Sequence, residues 1–169
     1  IMYVQFIFIA VFFGYSIGTA PIVGFNFGAQ RHSELKNMLR KSMLIMISSG
    51  VVMMALAQLL ASTLARIFVG YDPELMEMTK HAFSLVSFSF ILAGVNIYIS
   101  SFFTALNNGV ISAVVSFLRT LVFQASSVLI LPIFFELDGI WAAITVAELC
   151  AAAISISLLF ANRKKYKYM

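Results

Sequence analysis

The chain has 169 residues, of which 62% are hydrophobic and 11% are charged, with a formal net charge of +4 at pH 7. Soluble globular domains contain about 45–50% apolar and about 25% charged residues, so this composition excludes an ordinary soluble domain and, with it, a nucleic-acid-binding domain. Residues 1–30, 42–65 and 82–118 carry no charge, and a spanning helix needs about 20 mostly apolar residues. We predict an all-α fold, a polytopic membrane bundle of about five transmembrane helices that has the lipid bilayer as its surroundings.

The first predicted span covers residues 3–28 and has small residues at regular intervals. Small residues let a neighbouring helix approach closely in a membrane. A proline removes one helical hydrogen bond and is expected to bend the helix. The predicted packing and bend residues are Gly14, Gly18, Pro21, Gly24 and Gly28.

The second predicted span covers residues 43–64 and lies between two segments of opposite charge. Residues 31–41 hold four cations and one anion, and we predict a cytoplasmic loop there. Residues 71–77 hold three acids and no cation. Asp72-Pro73 is a turn signal, and Glu74 and Glu77 suit the first turn of a short helix.

The remaining predicted spans are 82–106, 113–134 and 139–160. The turn sequence Asn107-Asn108-Gly109 ends the first of these. Arg119 lies near the start of the next one, and Glu148 lies within the last. Residues 161–169 are predicted to be a basic cytoplasmic tail, in a single membrane domain that covers the whole chain.

The distribution of cations predicts the orientation of the bundle. Alternating spans place residues 31–41, residues 107–109 and the C-terminal tail on one side, which then holds eight cations against two on the other. The positive-inside rule puts this side in the cytoplasm, so the N-terminus of the chain is expected outside. An outside start without a signal peptide predicts at least one span before Ile1. The expected location is the plasma membrane of a bacterium.

Polar side chains recur at helical spacing on the last three predicted spans. Three neighbouring helices with one polar face each would enclose a water-filled or ligand-binding cavity. The alternative is that these side chains hydrogen-bond between helices for about 0.6 kcal/mol apiece and only hold the bundle together. The candidate cavity residues are Asn96, Ser100, Thr104, Gln124 and Glu148.

Arg119 and Glu148 are the two charges inside predicted spans. An unpaired charge at mid-membrane costs at least about 2.5–3.5 kcal/mol, which favours pairing. From the span limits, Arg119 lies about 9 Å and Glu148 about 20 Å from the cytoplasmic ends of their helices, so only a long Arg119 side chain that reaches toward Glu148 could close the gap of roughly 10 Å. Alternatively, Arg119 extends to the cytoplasmic interface while Glu148 faces a wet cavity and exchanges protons.

Sequence signals for an enzyme are missing. His32 and His81 lie at predicted membrane edges without a second metal ligand at suitable spacing, and there is no glycine-rich phosphate loop. We therefore predict no enzymatic activity, no metal and no cofactor. Any pumping would draw its energy from an ion gradient.

Several segments together resemble the MATE (multidrug and toxic compound extrusion) family. Gly18-Thr-Ala-Pro-Ile-Val-Gly-Phe-Asn-Phe-Gly-Ala29, followed by a basic segment, resembles the eighth helix of that family. The segments that resemble its later parts are, in order, Ile67-Phe-Val-Gly-Tyr-Asp-Pro-Glu74, Phe102-Phe-Thr-Ala-Leu-Asn-Asn-Gly109, Leu118-Arg119, and Leu137-Asp-Gly-Ile-Trp-Ala-Ala143 with Glu148.

The resemblance implies a twelve-helix antiporter of two six-helix lobes that exports amphipathic or cationic small molecules against an inward flow of H⁺ or Na⁺. This chain would supply five of the six helices of the C-terminal lobe, and its partners would be the N-terminal lobe and the preceding helix. The span over 82–106, which matches the family's tenth helix, has no acid. That favours the branch of the family whose coupling aspartate lies in the first helix, outside this chain.

Two other functions are compatible with the sequence. A lipid-linked saccharide flippase has a related helical architecture, but it predicts a more cationic cavity than Arg119 alone provides. A non-transporting membrane subunit would use the glycine-rich first span for assembly with partners.

Overall fold

The structure is a computed structural model that describes residues 1–168. Within these residues all regular elements are helical. In chain order they are α1 (Met2–Gly28), α2 (His32–Val69), α3 (Pro73–Ser87), α4 (Ser89–Ala105), α5 (Gly109–Phe117), a π-helix (Leu118–Gln124) and α6 (Ala125–Tyr166). The predicted all-α fold is confirmed.

Helix α2 is longer than the predicted span because it begins within the basic segment. It has 38 residues, so the loop predicted over 31–41 is wrong and the connector from α1 shrinks to residues 29–31. The helix continues because one buried stripe extends through the cations at intervals of three or four residues. The buried residues of this stripe are Leu35, Leu39, Ser42, Met46, Gly50, Met53, Ala57, Ala61 and Ala65.

A cap and a bend shape the segment after α2. The Asp72 carboxylate accepts hydrogen bonds from the backbone N–H groups of Glu74 and Leu75, at 3.0 and 3.2 Å, and Pro73 occupies the first turn of α3. Helices α3 and α4 then meet at Phe88 with a bend of 41°. The span predicted over 82–106 therefore crosses a break between two helices.

Helix α4 is the centre of the bundle and packs against α1, α2, α5 and α6. All residues from 93 to 99 are buried. Two glycines set its distance to its neighbours. A Cβ on Gly50 of α2 would lie 2.7 Å from the Ile91 Cα atom, and a Cβ on Gly94 would lie 2.9 Å from the Phe12 ring. Glycine, which has a hydrogen atom in place of a side chain, permits this close approach between the helices.

The chain reverses direction within α6 at Glu136, whose backbone has φ 49° and ψ −127°. These angles are near those of the first central residue of a type II′ turn. Gly139 consequently lies against residues 131 and 132, where a Cβ would approach the Pro132 nitrogen to 2.7 Å. Residues 125–135 and 137–166 are thus two antiparallel arms, and the turn predicted over 136–138 is present.

The helices have the length and apolarity needed to cross a membrane. Among the described residues, α1, α2 and the stretch Gly109–Tyr166 meet this criterion, and the bent pair α3 and α4 meets it as one unit. The stretch Gly109–Tyr166 has 58 residues. A straight helix of that size would be about 87 Å long, so the reversal at Glu136 divides it into two arms of membrane length. This count is compatible with five spans, whose limits stay predictions.

The connectors meet at two ends of the bundle. At one end the Asn108 amide donates to the Tyr166 hydroxyl at 2.7 Å, and the Phe27 and Tyr166 rings lie 5.7 Å apart. We call it the basic end, because eight of the eleven cations belong to the segments that meet there. At the other end a His81 ring nitrogen lies 2.9 Å from an Asp138 carboxylate oxygen.

The predicted basic tail is largely helical. Helix α6 continues to Tyr166, and Lys167 ends it in a left-handed conformation, with φ 53°. Tyr168 then folds back, and its hydroxyl donates to the Leu159 carbonyl at 2.7 Å. Met169 lies outside the described residues.

Candidate functional site

Arg119 of the π-helix and Glu148 of α6 form an ion pair inside the bundle. The Arg119 Nη2 atom lies 2.6 Å from Glu148 Oε1, and Nε lies 2.9 and 3.0 Å from the two carboxylate oxygens. The two side chains are 18% and 11% exposed, so water contributes little to their solvation. Charge-assisted hydrogen bonds of this length stabilise both charges at a depth where each alone would be costly.

The pair forms across the predicted difference in depth, and the alternative in which Arg119 extends to the interface is wrong. The tight reversal at Glu136 joins the two arms, so depth is best measured from there. By that measure Arg119 lies only five residues further from the turn than Glu148, or about 7.5 Å of helix rise. Two long side chains bridge this distance easily.

Asn96 of α4 completes a triad with the ion pair. Its amide Nδ2 donates to Glu148 Oε2 at 2.7 Å and to the Glu148 backbone carbonyl at 3.0 Å. Asn96 is fully buried, and its Oδ1 atom has no hydrogen-bond partner among the described residues. The triad joins α4, the π-helix and α6 at one point.

A first cleft, which we call the serine cleft, lies between α1, α4 and α5 and has a volume of about 360 Å³. The hydroxyl groups of Ser100, Thr104 and Ser116 form one wall, and Ser112 is bonded to two of them without lining the cleft itself. The Ser100 hydroxyl lies 2.9 Å from those of Ser112 and Ser116, and Thr104 donates to Ser112 at 2.7 Å. The other lining residues are mostly apolar: Phe13, Ser16, Ile17, Ala20, Asn96, Ile97, Ser101, Val115 and Arg119.

A second cleft, the glutamate cleft, has a volume of about 340 Å³ and lies on the other side of Arg119. Phe13 and Arg119 line both clefts and therefore separate them. The remaining lining residues are Met2, Gln5, Phe6, Ile9, Thr120, Gln124, Ile144, Ala147 and Glu148. Apolar walls with a few convergent polar groups are typical of small-molecule sites.

The structure distributes the predicted cavity residues over the two clefts. Three of them, Asn96, Ser100 and Thr104, line the serine cleft. Gln124 and Glu148 line the glutamate cleft. All five thus face the same side of the bundle, but the triad and Phe13 divide the single predicted cavity.

The sequence interpretation missed the face of α1 that lines both clefts. That face is formed by Gln5, Ile9, Phe13, Ser16 and Ala20. These residues follow one another at intervals of three or four, which is the signal that could have identified them. The sequence did not indicate this face because only two of its residues are polar. The regularly spaced glycines of α1 favoured an interpretation in terms of helix packing instead. Ser16 is buried, and its hydroxyl has no partner among the described residues.

Of the four glycines predicted to pack, one lies close to another helix within this chain. A Cβ on Gly24 would lie 3.4 Å from the Ala105 carbonyl oxygen, whereas one on Gly14, Gly18 or Gly28 would meet no atom within 4 Å. These three therefore do not mediate packing between the described helices. Pro21 is exposed within α1, which stays helical through it.

No group of three metal-ligating side chains is found among residues 1–168. The lone cysteine, Cys150, is exposed.

Comparison with known proteins identifies the family. The MatE family model matches residues 1–130. A solved structure of the Vibrio cholerae MATE transporter VcmN in the bent form has 16% identity and a TM-score of 0.86, over 98% of this chain and 38% of that one. An inward-facing multidrug resistance MATE family transporter of the MOP superfamily has 18% identity and a TM-score of 0.91, over 98% and 39%. No match was found among curated proteins. This chain spans less than two fifths of the length of either solved transporter. Because the family model matches most of this chain, the chain belongs to the MatE family.

Proposed function

We propose that this chain is part of a longer membrane carrier that exports amphipathic or cationic small molecules in exchange for H⁺ or Na⁺. The observation that carries the proposal is the pair of clefts on one face of a chain of the MatE family. Their walls combine apolar surface with hydroxyl and amide groups and with one ion pair whose charges neutralise each other. Such walls suit ligands with a large apolar body and few polar groups.

The triad would hold the wall between the clefts in place. Three helices meet at Glu148, whose carboxylate accepts hydrogen bonds from Arg119 and Asn96. In the carrier the N-terminal lobe and a preceding helix would close the open side of the clefts. The acid that couples export to the ion gradient would lie in that lobe, in its first helix, as the resemblance implies.

A role as a carrier is favoured over the other two functions. Arg119 is the only cation among the residues that line the two clefts, and Glu148 neutralises it. A flippase for lipid-linked saccharides would need unpaired cations for the phosphates of its substrate. Membership of the MatE family, rather than any contact of the α1 glycines, favours a carrier over a non-transporting subunit.

Dye accumulation in bacteria that lack their own efflux pumps tests the proposal. Cells that express the complete gene should accumulate less ethidium than cells with an empty vector. Thr104→Trp, which fills the serine cleft, should restore accumulation to the empty-vector level. Leu129→Trp is the matched control, because Leu129 is 73% exposed on the apolar surface. It should leave export unchanged.

Two further measurements complete the test. Dissipation of the proton gradient and removal of external Na⁺ should identify the coupling ion, since only one of them should stop export. Unchanged accumulation of several cationic dyes on expression of the complete gene would contradict the proposal.

A further inference from the structure

A third cleft lies at the basic end, away from the triad. It is an open groove of about 370 Å³ between the beginning of α2 and the end of α6, and we call it the α2–α6 groove. Its lining residues are Lys36, Leu39, Arg40, Met43, Ile156, Leu159, Phe160 and Tyr168. It shares no residue with the serine and glutamate clefts.

The walls of the groove are apolar and face outward. Ile156 is 38% and Phe160 is 51% exposed, and both lie on the side of α6 that the bundle leaves uncovered. Where this surface faces lipid in the complete carrier, the groove opens toward the acyl chains.

One wall of the groove is held rigidly by Tyr168. Its ring packs edge-on against the Phe102 ring at 5.3 Å, and its hydroxyl donates to the Leu159 carbonyl. Burial, and then the neighbouring Tyr166, raise the pKa of the Tyr168 phenol, so it remains protonated as a donor. These contacts fix the position of the Tyr168 side of the groove.

Two exposed cations stand beside these apolar walls. Lys36 and Arg40 are four residues apart on α2, so they project from the same face of the helix. Neither forms an ion pair with a carboxylate among residues 1–168. They lie at the basic end, which is the level of the lipid headgroups if the apolar helices span the bilayer.

We propose that the α2–α6 groove binds one anionic glycerophospholipid of the adjacent leaflet. An acyl chain would lie along Met43, Ile156 and Phe160, and the phosphate would lie between Lys36 and Arg40. The combination of an apolar channel with paired cations at its headgroup end matches both parts of such a lipid, whereas a soluble anion would need no apolar channel. This inference does not depend on the transported substrate.

Native mass spectrometry of the complete carrier in detergent tests the proposal. Phosphatidylglycerol should bind more tightly than phosphatidylcholine. The double variant Lys36→Gln/Arg40→Gln should weaken phosphatidylglycerol binding about 30-fold, because each of the two cations that would contact the bound phosphate contributes about a factor of five. The matched control is Lys41→Gln/Lys164→Gln, which removes the same charge at the same end but outside the groove. It should leave binding within about twofold of the unchanged protein.

A second variant tests the apolar part of the site. Ile156→Trp fills the groove and leaves both cations in place, so it should also abolish the preference for phosphatidylglycerol. Inorganic phosphate should not displace the lipid. The proposal is overturned if both double variants weaken binding equally, if Ile156→Trp binds like the unchanged protein, or if inorganic phosphate alone occupies the site.

Discussion

At the scale of single residues, the most informative group is the Glu148 carboxylate. It receives hydrogen bonds from a cation on one helix and from an amide on another, at distances between 2.6 and 3.0 Å. Removal of either charge would leave the other buried in a medium that solvates it poorly. Removal of both would leave neutral side chains, with Asn96 still bonded to the backbone carbonyl of residue 148.

This leads to a prediction for the ion pair. Arg119→Met and Glu148→Leu should each lower the free energy of unfolding by about 3–5 kcal/mol, because each leaves an uncompensated buried charge. The double variant should lose much less than the sum of the two, since two apolar side chains pack without a desolvation penalty. Thermal unfolding of the complete carrier in detergent measures all three. Additive losses would show that the two side chains do not depend on each other.

The candidate site residues were predictable where they are polar and at helical spacing. Asn96, Ser100 and Thr104 follow one another on α4, and this pattern identified the wall of the serine cleft. Phe13 could not be identified in the same way, because the sequence does not distinguish an apolar residue that separates two clefts from one that faces lipid. Its role depends on the position of Arg119 from another helix.

At the scale of secondary structure elements, the reversal at Glu136 determines which residues meet. It brings residues 109–135 and 137–166 side by side, and the Arg119–Glu148 pair depends on that register. Glutamate is a poor residue for these backbone angles, because at positive φ the Cβ atom of an L residue approaches the carbonyl group of the preceding residue. Glycine has no such conflict.

We therefore predict that Glu136→Gly increases the free energy of unfolding by about 1 kcal/mol. Relief of the backbone strain in the folded state stabilises the variant, and the greater conformational entropy of its unfolded chain offsets part of that gain. Glu77→Gly is the control, since Glu77 lies within α3 and pairs with Lys80 at 2.7 Å. It should destabilise by about 1 kcal/mol. Chemical unfolding of the purified carrier measures both. A loss of stability in Glu136→Gly would mean that the side chain itself holds the turn.

Two elements show why the limits of helices are hard to predict. The cations of residues 31–41 suggested a loop, but Leu35 and Leu39 continue the buried stripe of α2, and burial outweighs local polarity. The π-helix at Leu118–Gln124 has no sequence signal. Its widened turn is compatible with an Arg119 side chain directed toward Glu148, and such turns are frequent at functional sites.

At the scale of the whole molecule, the hydrophobic surface and the charged ends define the position in the membrane. Large apolar side chains are exposed along α1, α2 and α6, and cations gather at one end. The side chains of Asn108 and Tyr166 join two segments of this basic end. The orientation, with the basic end in the cytoplasm, stays a prediction.

Cysteine labelling tests this orientation. The background is a complete carrier in which every native cysteine is replaced, with Cys150→Ser among the changes. In this background a membrane-impermeant thiol reagent should label Tyr71→Cys in intact cells. Asn107→Cys should be labelled only after permeabilisation, because it lies at the basic end. Both positions are exposed, so access of the reagent depends only on the side of the membrane. Labelling of Asn107→Cys in intact cells would reverse the orientation.

The sequence by itself determined the membrane class, the helical fold, the order of the apolar segments and the polar faces, since each follows from composition and local periodicity. The tertiary structure decided that Arg119 pairs with Glu148, that Phe13 separates two clefts, and that Lys36 and Arg40 stand beside an apolar groove of α6. These features depend on contacts between residues far apart in the chain. The packing of Gly50 and Gly94 and the turn at Glu136 set the register of such contacts, and helical periodicity carries no information about register between helices.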